Sequence, residues 1–140
     1  MFTKEETEKI KKTIIDAELE TSGEIRVHIG KKCMGDPYEK AIKVFNKLGM
    51  HRTELRNGVL IFLAPQQQKL AIIGDEGINN KVPDNFWDNI KDTMINHFKS
   101  NDIIQGLTDG ITQSALQLKE HFPYTDNDKD ELSNEITFDK

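Results

Sequence analysis

Five side chains with oxygen ligands stand at positions where a cation could collect them. Glu24 opens one predicted strand, Asn57 precedes another, Asp75 and Glu76 follow a third, and Asp109 lies on a predicted helix. Carboxylate and amide oxygens are the ligands that Ca²⁺ and Mg²⁺ prefer. Gathered carboxylates repel one another unless a cation, a proton or an arginine compensates them. We therefore predict a Ca²⁺ or Mg²⁺ site formed by Glu24, Asn57, Asp75, Glu76 and Asp109.

A plainer interpretation of the same residues stays open. Glu24 and Asp75 are also suited to cap turns or to form an ion pair with Arg56. In that case the polar residues would stabilise the ends of the strands without binding any ligand.

The predicted convergence depends on a hairpin. Residues 59–64 are apolar at every position, which is typical of a central strand covered on both faces. The polar turn at 66–68 leads to a returning strand, 69–74. Because the two open ends of an antiparallel hairpin lie side by side, Asn57 and Asp75 should be neighbours.

The elements around the hairpin complete an α/β pattern. Thr3 and Glu6 form a capping box that begins a helix over 4–20, and residues 24–29 alternate as a half-buried strand. Asp36 and Pro37 begin a second helix, which makes a right-handed βαβ unit with parallel strands. Two more helices follow, starting near Asp84 and residues 101–102. We predict a three-layer α/β/α sandwich with a small mixed, mostly parallel sheet, the βαβ unit plus the antiparallel hairpin, covered by about four helices.

Two glycines in the last predicted helix support the inclusion of Asp109. Gly106 and Gly110 lie four residues apart, and each costs about 1 kcal/mol relative to alanine inside a helix. Such a pair predicts close approach to a strand or to a bound ligand. Asp109 lies between them, where access is easy.

Composition restricts the possible functions. The 140 residues suffice for one domain, predicted over 1–123, followed by an acidic flexible tail over 124–140. The net charge of −5 disfavours a nucleic-acid partner, and no apolar run approaches the roughly 18 residues of a transmembrane helix. The start of the chain is polar and acidic, unlike a signal peptide. We expect a soluble, cytoplasmic monomer, unless a leader has been removed.

Other sites are weaker candidates. The acidic run at 126–131 lacks the glycine and glutamate that an EF-hand requires, and the four histidines show no zinc-site spacing. Ligands of open α/β sheets usually bind beyond the carboxyl ends of the strands, which here carry Lys31, Lys32, Cys33, Asp36 and 66–68. The residues at these carboxyl ends suggest less chemistry than the carboxylates at the opposite ends of the strands.

Four segments resemble the TPM domain, a family named after a thylakoid lumen protein, a photosystem II repair protein and a receptor modulator. They are 21–25 (TSGEI), 56–63 (RNGVLIFL), 73–78 (IGDEGI) and Phe86-Trp87. The resemblance covers roughly 2–123 and implies an α/β/α sandwich, divalent-cation binding and, from plant lumen members, acid phosphatase activity. Where the commoner motif has Gly-aromatic-Gly, residues 74–77 read Gly-Asp-Glu-Gly, which adds carboxylates.

Three functions follow as hypotheses. The first is divalent-cation binding without catalysis. The second is a metal-assisted acid phosphatase, in which Arg56 clamps the phosphate and Asp75 is the nucleophile or general base. The third is an interaction module whose partner docks on a sheet edge or on the acidic tail.

Overall fold

The computed structural model of the chain describes residues 2–125 and 133–139. Within these ranges the α-helices and strands are α1 (Lys4–Glu18), β1 (Glu24–Ile29), α2 (Pro37–Lys47), β2 (Gly58–Ala64), β3 (Lys69–Gly74), α3 (Glu76–Asn79), α4 (Asp88–Lys99), α5 (Ile103–His121) and β4 (Thr137–Phe138). Two 3₁₀ turns, Met50–Arg52 and Pro65–Gln67, lie on either side of β2. No described helix is both long enough and apolar enough to cross a bilayer.

The strands form one mixed sheet in the order β3-β2-β1-β4. β1 runs parallel to β2, with Glu24 opposite Gly58, and β3 runs antiparallel to β2, with Gly74 opposite Val59. All seven residues of β2 are buried, because this strand has neighbours on both sides and helices over both faces. The predicted fold, a βαβ unit plus an antiparallel hairpin, is confirmed.

Two hydrophobic clusters lie on opposite faces of the sheet. One face packs against α1, α4 and α5, with Ile14, Met94 and Leu107 fully buried beneath them. The other face packs against α2, with Leu60, Phe62 and further apolar residues inside. This is the predicted three-layer sandwich.

Local sequence signals account for the first two helices. In the capping box, the Glu6 N–H donates to Thr3 Oγ1 at 3.0 Å and the Thr3 N–H donates to Glu6 Oε1 at 2.8 Å. Asp36 accepts from the Tyr38 N–H at 3.0 Å, ahead of Pro37 at the first helical position. Each device satisfies an amide that has no partner inside its helix.

The later helices depart from the prediction. A short extra helix, α3, follows Asp75, whose Oδ1 accepts from the Glu76 N–H at 2.7 Å. α4 begins at Asp88, four residues after Asp84, and its N-cap is Trp87. The described residues therefore contain five α-helices where about four were predicted.

The last described residues belong to the sheet. Thr137 and Phe138 pair in parallel with His28 and Ile29 of β1, and Ile136 is buried in the core. The Asp139 N–H donates to the Ile29 carbonyl at 3.0 Å. These contacts differ from the predicted flexible tail, because an apolar, β-branched stretch follows the acidic residues. Residues 126–132 lie outside the described part, and the domain boundary at 123 stays a prediction.

Side-chain hydrogen bonds hold β4 in place, in addition to its backbone pairing with β1. His28, with a side chain only 8% exposed, bonds Thr137 Oγ1 through Nδ1 at 2.7 Å and Asp139 Oδ1 through Nε2 at 2.8 Å. The other carboxylate oxygen of Asp139 accepts from the Lys31 N–H at 3.0 Å and lies 3.4 Å from Lys40 Nζ. Burial alone would raise the pKa of the Asp139 carboxyl, but these partners hold it below its ordinary value.

The lowered pKa of Asp139 predicts a loss of stability in acid. A carboxylate whose pKa is lower in the folded state stabilises the fold above its ordinary pKa of about 3.9, and this contribution disappears as the pH falls through the folded value. We expect Asp139→Asn to cost about 1 kcal/mol at neutral pH and progressively less as the pH falls below about 3.9. Urea unfolding across this pH range measures the difference, with exposed Asp92→Asn as the control. A cost that persists unchanged in acid contradicts the prediction.

Candidate functional site

The strand register brings four of the five predicted ligands to one end of the sheet. The Glu24 N–H donates to the Asn57 carbonyl at 3.3 Å, and the Asp75 N–H donates to the Gly58 carbonyl at 3.0 Å. Glu76 follows Asp75 directly at the start of α3. We call this region the hairpin end and define it by Glu24, Arg56, Asn57, Asp75 and Glu76.

An arginine neutralises the carboxylates of the hairpin end. Arg56 donates from Nε to Asp75 Oδ2 at 2.8 Å and from Nη2 to Asp75 Oδ1 at 2.9 Å, and its Nη1 lies 3.1 Å from Glu76 Oε1. The hydrogen bonds to Asp75 raise the pKa of Arg56 above its ordinary value. This bidentate pair is the strong form of an ion pair. It corresponds to the plainer interpretation that the sequence left open.

The two acidic partners of Arg56 differ sharply in exposure. The side chain of Asp75 is 5% exposed, whereas that of Glu76 is 65% exposed and that of Arg56 is 37% exposed. Asp75 is thus a fixed, buried carboxylate that also caps α3. Glu76 lies at the surface, where most of its side chain is in contact with solvent.

Backbone contacts hold Arg56 in position. Its φ of 51° lies in the left-handed region, which is uncommon for a residue with a side chain. The Gly77 N–H donates to the Arg56 carbonyl at 2.9 Å. A Cβ on Gly77 would lie 2.5 Å from that carbonyl oxygen and closer still to the carbonyl oxygen of Leu55. Gly77 therefore permits the close approach of α3 to the segment before β2.

Asn57 and Glu24 are buried on the β1 side of the hairpin end. Asn57 is 2% exposed, and its Nδ2 donates to the Ser22 carbonyl at 3.2 Å. Glu24 is 4% exposed, so its carboxylate is largely removed from water. The Asn57 side chain thus ties the segment before β2 to the segment before β1.

Asp109 lies elsewhere. Its Oδ2 is 2.8 Å from His97 Nε2 on α4, and its Oδ1 accepts from Gln105 Nε2 at 2.8 Å. α5 passes near the hairpin end through Leu118, which contacts Gly23. Asp109 precedes Leu118 by nine residues, and that spacing corresponds to about 13 Å along a helix axis. The structure therefore does not place Asp109 with the other four residues.

The glycine pair that suggested Asp109 has another role. A Cβ on Gly106 would meet Phe98, and a Cβ on Gly110 would meet Met94, both on α4. The prediction that these glycines face a strand or a ligand is wrong. They allow two helices to pack closely.

The end of the sheet opposite the hairpin end is covered by loop contacts. The Cys33 N–H donates to Gln67 Oε1 at 2.6 Å, and Lys69 Nζ donates to the carbonyls of Cys33 and Gly35 at 3.0 and 2.7 Å. Cys33 is a buried free thiol. These bonds fasten the loop after β1 onto the β2–β3 turn.

Sequence reasoning did not predict a slot beside β3. This cavity of about 370 Å³ is lined by Tyr38, Ala71, Ile72, Gly74, Asn79, Val82, Pro83, Asp84, Trp87, Asp88 and Lys91. The sequence signal that was available is that β3, as the last strand of the hairpin, has no later strand predicted beside it.

The residues described by the structure contain no group of three or more histidine, cysteine, aspartate or glutamate side chains placed to share a metal ion. At the hairpin end the carboxylates of Asp75 and Glu76 already face the guanidinium of Arg56, so a bound cation would have to displace that guanidinium.

Comparison with known proteins establishes the family. The chain is similar to the BA42 protein of the psychrophilic bacterium Bizionia argentinensis, whose NMR structure superimposes with a TM-score of 0.93 at 42% identity, covering 99% of this chain and 96% of that one. The N-terminal domain of a protein from P. gingivalis shares the fold at a TM-score of 0.69 and 20% identity, covering 89% of this chain and 82% of that one.

A third solved structure also shares the fold. The N-terminal domain of a Corynebacterium glutamicum protein gives a TM-score of 0.65 at 13% identity, covering 97% of this chain and 80% of that one. No curated protein matches the chain. A model of the TPM domain matches residues 1–117, which include β1, β2, β3 and the whole hairpin end. The chain therefore belongs to the TPM domain family.

Proposed function

We propose that this TPM domain binds a divalent cation, Ca²⁺ or Mg²⁺, at the hairpin end, and that Arg56 occupies the place of the cation when none is bound. The observation that supports this is the arrangement of Asp75 and Glu76 around one guanidinium. Two carboxylates facing one guanidinium leave a local excess of one negative charge. Glu24, buried nearby at the start of β1, belongs to the same acidic end of the sheet.

The proposed ligands follow from exposure and position. Asp75 provides a fixed oxygen, because its side chain is almost fully buried and already oriented. Glu76, at the surface, can turn towards an ion without disturbing the core. Asn57 and Glu24 lie on the neighbouring strand ends, and solvent would complete the six to eight oxygen ligands of Ca²⁺ or the six of Mg²⁺.

The test is a titration with Ca²⁺ and Mg²⁺ followed by backbone amide NMR. At millimolar cation we expect the amide signals of Arg56, Asn57 and residues 74–77 to shift, while those of residues 106–110 stay in place. Asp75→Asn should abolish the shifts because it removes the buried negative charge. Asp92→Asn, on the exposed face of α4, is the control and should leave them unchanged.

Substitution of the arginine tests the exchange itself. If the guanidinium competes with the cation, Arg56→Gln should bind Ca²⁺ or Mg²⁺ several-fold more tightly, by about 1 kcal/mol. Arg52→Gln, near the same segment but outside the hairpin end, should not. Cation binding by the wild type that is unchanged or weaker in Arg56→Gln would show that Arg56 does not compete. Absence of shifts in every protein would overturn cation binding altogether.

Phosphate-ester hydrolysis at the same end has less support. The guanidinium that would clamp the phosphate is engaged by Asp75 and Glu76, and both oxygens of Asp75 already accept hydrogen bonds. A nucleophile needs a free, activated oxygen. A model phosphate-ester assay with the wild type and Asp75→Asn separates the two functions, because hydrolysis that disappears with the substitution would favour catalysis.

A further inference from the structure

We propose that the slot beside β3 binds an extended, basic peptide segment of a partner protein, which adds to the sheet as a further strand. This site uses the outer edge of β3 and does not depend on cation binding at the hairpin end. Three features of the slot carry the inference: the direction of the β3 backbone groups, the walls on either side of them, and the charges on those walls.

The register determines which β3 backbone groups face the slot. In an antiparallel ladder, residues that exchange hydrogen bonds alternate with residues whose N–H and C=O point away. The bond from the Asp75 N–H to the Gly58 carbonyl places Asp75, Ile73 and Ala71 in bonded pairs with β2. Leu70, Ile72 and Gly74 therefore direct their backbone groups outward. Within the described residues, β3 is the end of the sheet and has a strand on one side only.

The slot is lined by residues from both helix layers as well as from β3. Tyr38 comes from the α2 layer, while Trp87, Asp88 and Lys91 come from the α4 side of the sheet. Both helix layers thus extend past β3 and enclose the space where the next strand would lie. Its volume of about 370 Å³ falls in the range of ligand pockets, roughly 300–1,000 Å³.

One end of the slot is closed. The outward carbonyl of Gly74 accepts from Asn79 Nδ2 at 3.0 Å, and the indole of Trp87 lies against Gly74, with two ring atoms 3.2 Å from the position that a Cβ would take. The backbone groups left for a partner are those of Leu70 and Ile72. A segment of about five residues in extended form would span this stretch, since a strand rises about 3.4 Å per residue.

Backbone geometry and charge together identify the occupant. Outward groups repeated every second residue match an extended peptide backbone, as in other complexes formed by strand addition. Asp84 and Asp88 are exposed carboxylates against a single ammonium group, Lys91, so the lining carries an excess negative charge. A second copy of this acidic chain, with its net charge of −5, fits such a slot poorly. A segment containing lysine or arginine fits it well.

The experiment selects peptides on the full-length protein from a random display library and then tests the selected peptides in synthetic form. We expect enriched sequences of alternating character that contain at least one lysine or arginine. Their binding should shift the amide signals of Leu70 and Ile72 and the indole signal of Trp87. Methylating alternate peptide nitrogens should abolish binding for one set of positions and spare the other, because only one side of an added strand faces β3.

Two substitutions one turn apart on α4 provide the matched test of charge. Asp88→Lys should weaken a selected peptide about fivefold at low salt, whereas Asp92→Lys, which is also exposed but does not line the slot, should not. A library without enrichment, peptides that shift other residues, or equal effects of the two substitutions would each overturn the proposal. So would sedimentation showing that the protein forms dimers, if the amide signals of Leu70 and Ile72 shift as the dimer forms.

Discussion

Replacing Gly77 with alanine is expected to destabilise the fold by about 3 kcal/mol and to separate α3 from the segment before β2. The added Cβ would lie 2.5 Å from the carbonyl oxygen of Arg56 and closer still to that of Leu55. Both atoms belong to backbone, which cannot turn aside as a side chain can. The hydrogen bond from the Gly77 N–H to Arg56 would lengthen, and Arg56 would lose its fixed approach to Asp75.

The control for this prediction is Gly110→Ala. Its Cβ also meets crowded atoms, Met94 Sδ most closely and Met94 Cε and Cγ at 2.8 and 2.9 Å, but these belong to a flexible side chain. Alanine also regains about 1 kcal/mol of helix propensity there. We therefore expect a net change of about 1 kcal/mol or less in either direction. Urea unfolding ranks the two variants, and equal losses would show that the backbone contact at Gly77 is not limiting.

Replacing Phe62 with alanine is expected to cost about 3–5 kcal/mol in the free energy of unfolding. Phe62 is fully buried at the centre of β2, and its ring stacks on His28 at a centroid distance of 5.9 Å and an angle of 12°. The cavity left behind would free His28, which in turn holds Thr137 and Asp139. This substitution should therefore loosen β4 in addition to weakening the core.

Leu60→Ala separates these two effects. Leu60 is fully buried in the same cluster as Phe62, two residues earlier in β2, and should cost about 2–5 kcal/mol. Hydrogen exchange of the Asp139 amide, which bonds Ile29, reports on β4. We expect faster exchange by local opening in Phe62→Ala than in Leu60→Ala at matched global stability. Identical exchange rates would mean that the stacked ring does not support β4.

The sheet was predictable because its signals are local and redundant. Residues 59–64, with no polar side chain, specify a strand covered on both faces, and the turn at 66–68 fixes the partner of that strand. Once the βαβ hand and the hairpin are set, the register necessarily places Glu24, Asn57 and Asp75 at one end. The convergence of these residues follows from topology alone.

Contacts between residues far apart in the sequence were not predictable in the same way. The glycines at 106 and 110 show that something approaches α5 closely, yet a helix, a strand and a ligand all satisfy that requirement. The partner turned out to be α4, which also supplies His97 to Asp109. Assigning Asp109 to a cation site therefore depended on a contact that spacing cannot identify.

The hairpin end shows a similar limit. Counting charges revealed carboxylates beside an arginine, but not that Arg56 adopts a left-handed conformation and bonds both oxygens of Asp75. That geometry depends on Gly77 and the short helix α3, which no periodicity signals. β4 was missed for a related reason, because a strand of two residues is too short to show alternation.

The pairing of β4 with β1 also determines when the sheet can be completed during protein synthesis. Thr137 follows its partner His28 by 109 residues. At about 5–20 residues per second, a ribosome needs roughly 5–20 s to make the intervening chain. Once β2 has been made, β1 can pair with it but still exposes its other edge, where unpaired backbone groups invite contacts with neighbouring nascent chains. Of the four strands in the described sheet, β4 is thus added last, and until it arrives the edge of β1 is open in addition to that of β3.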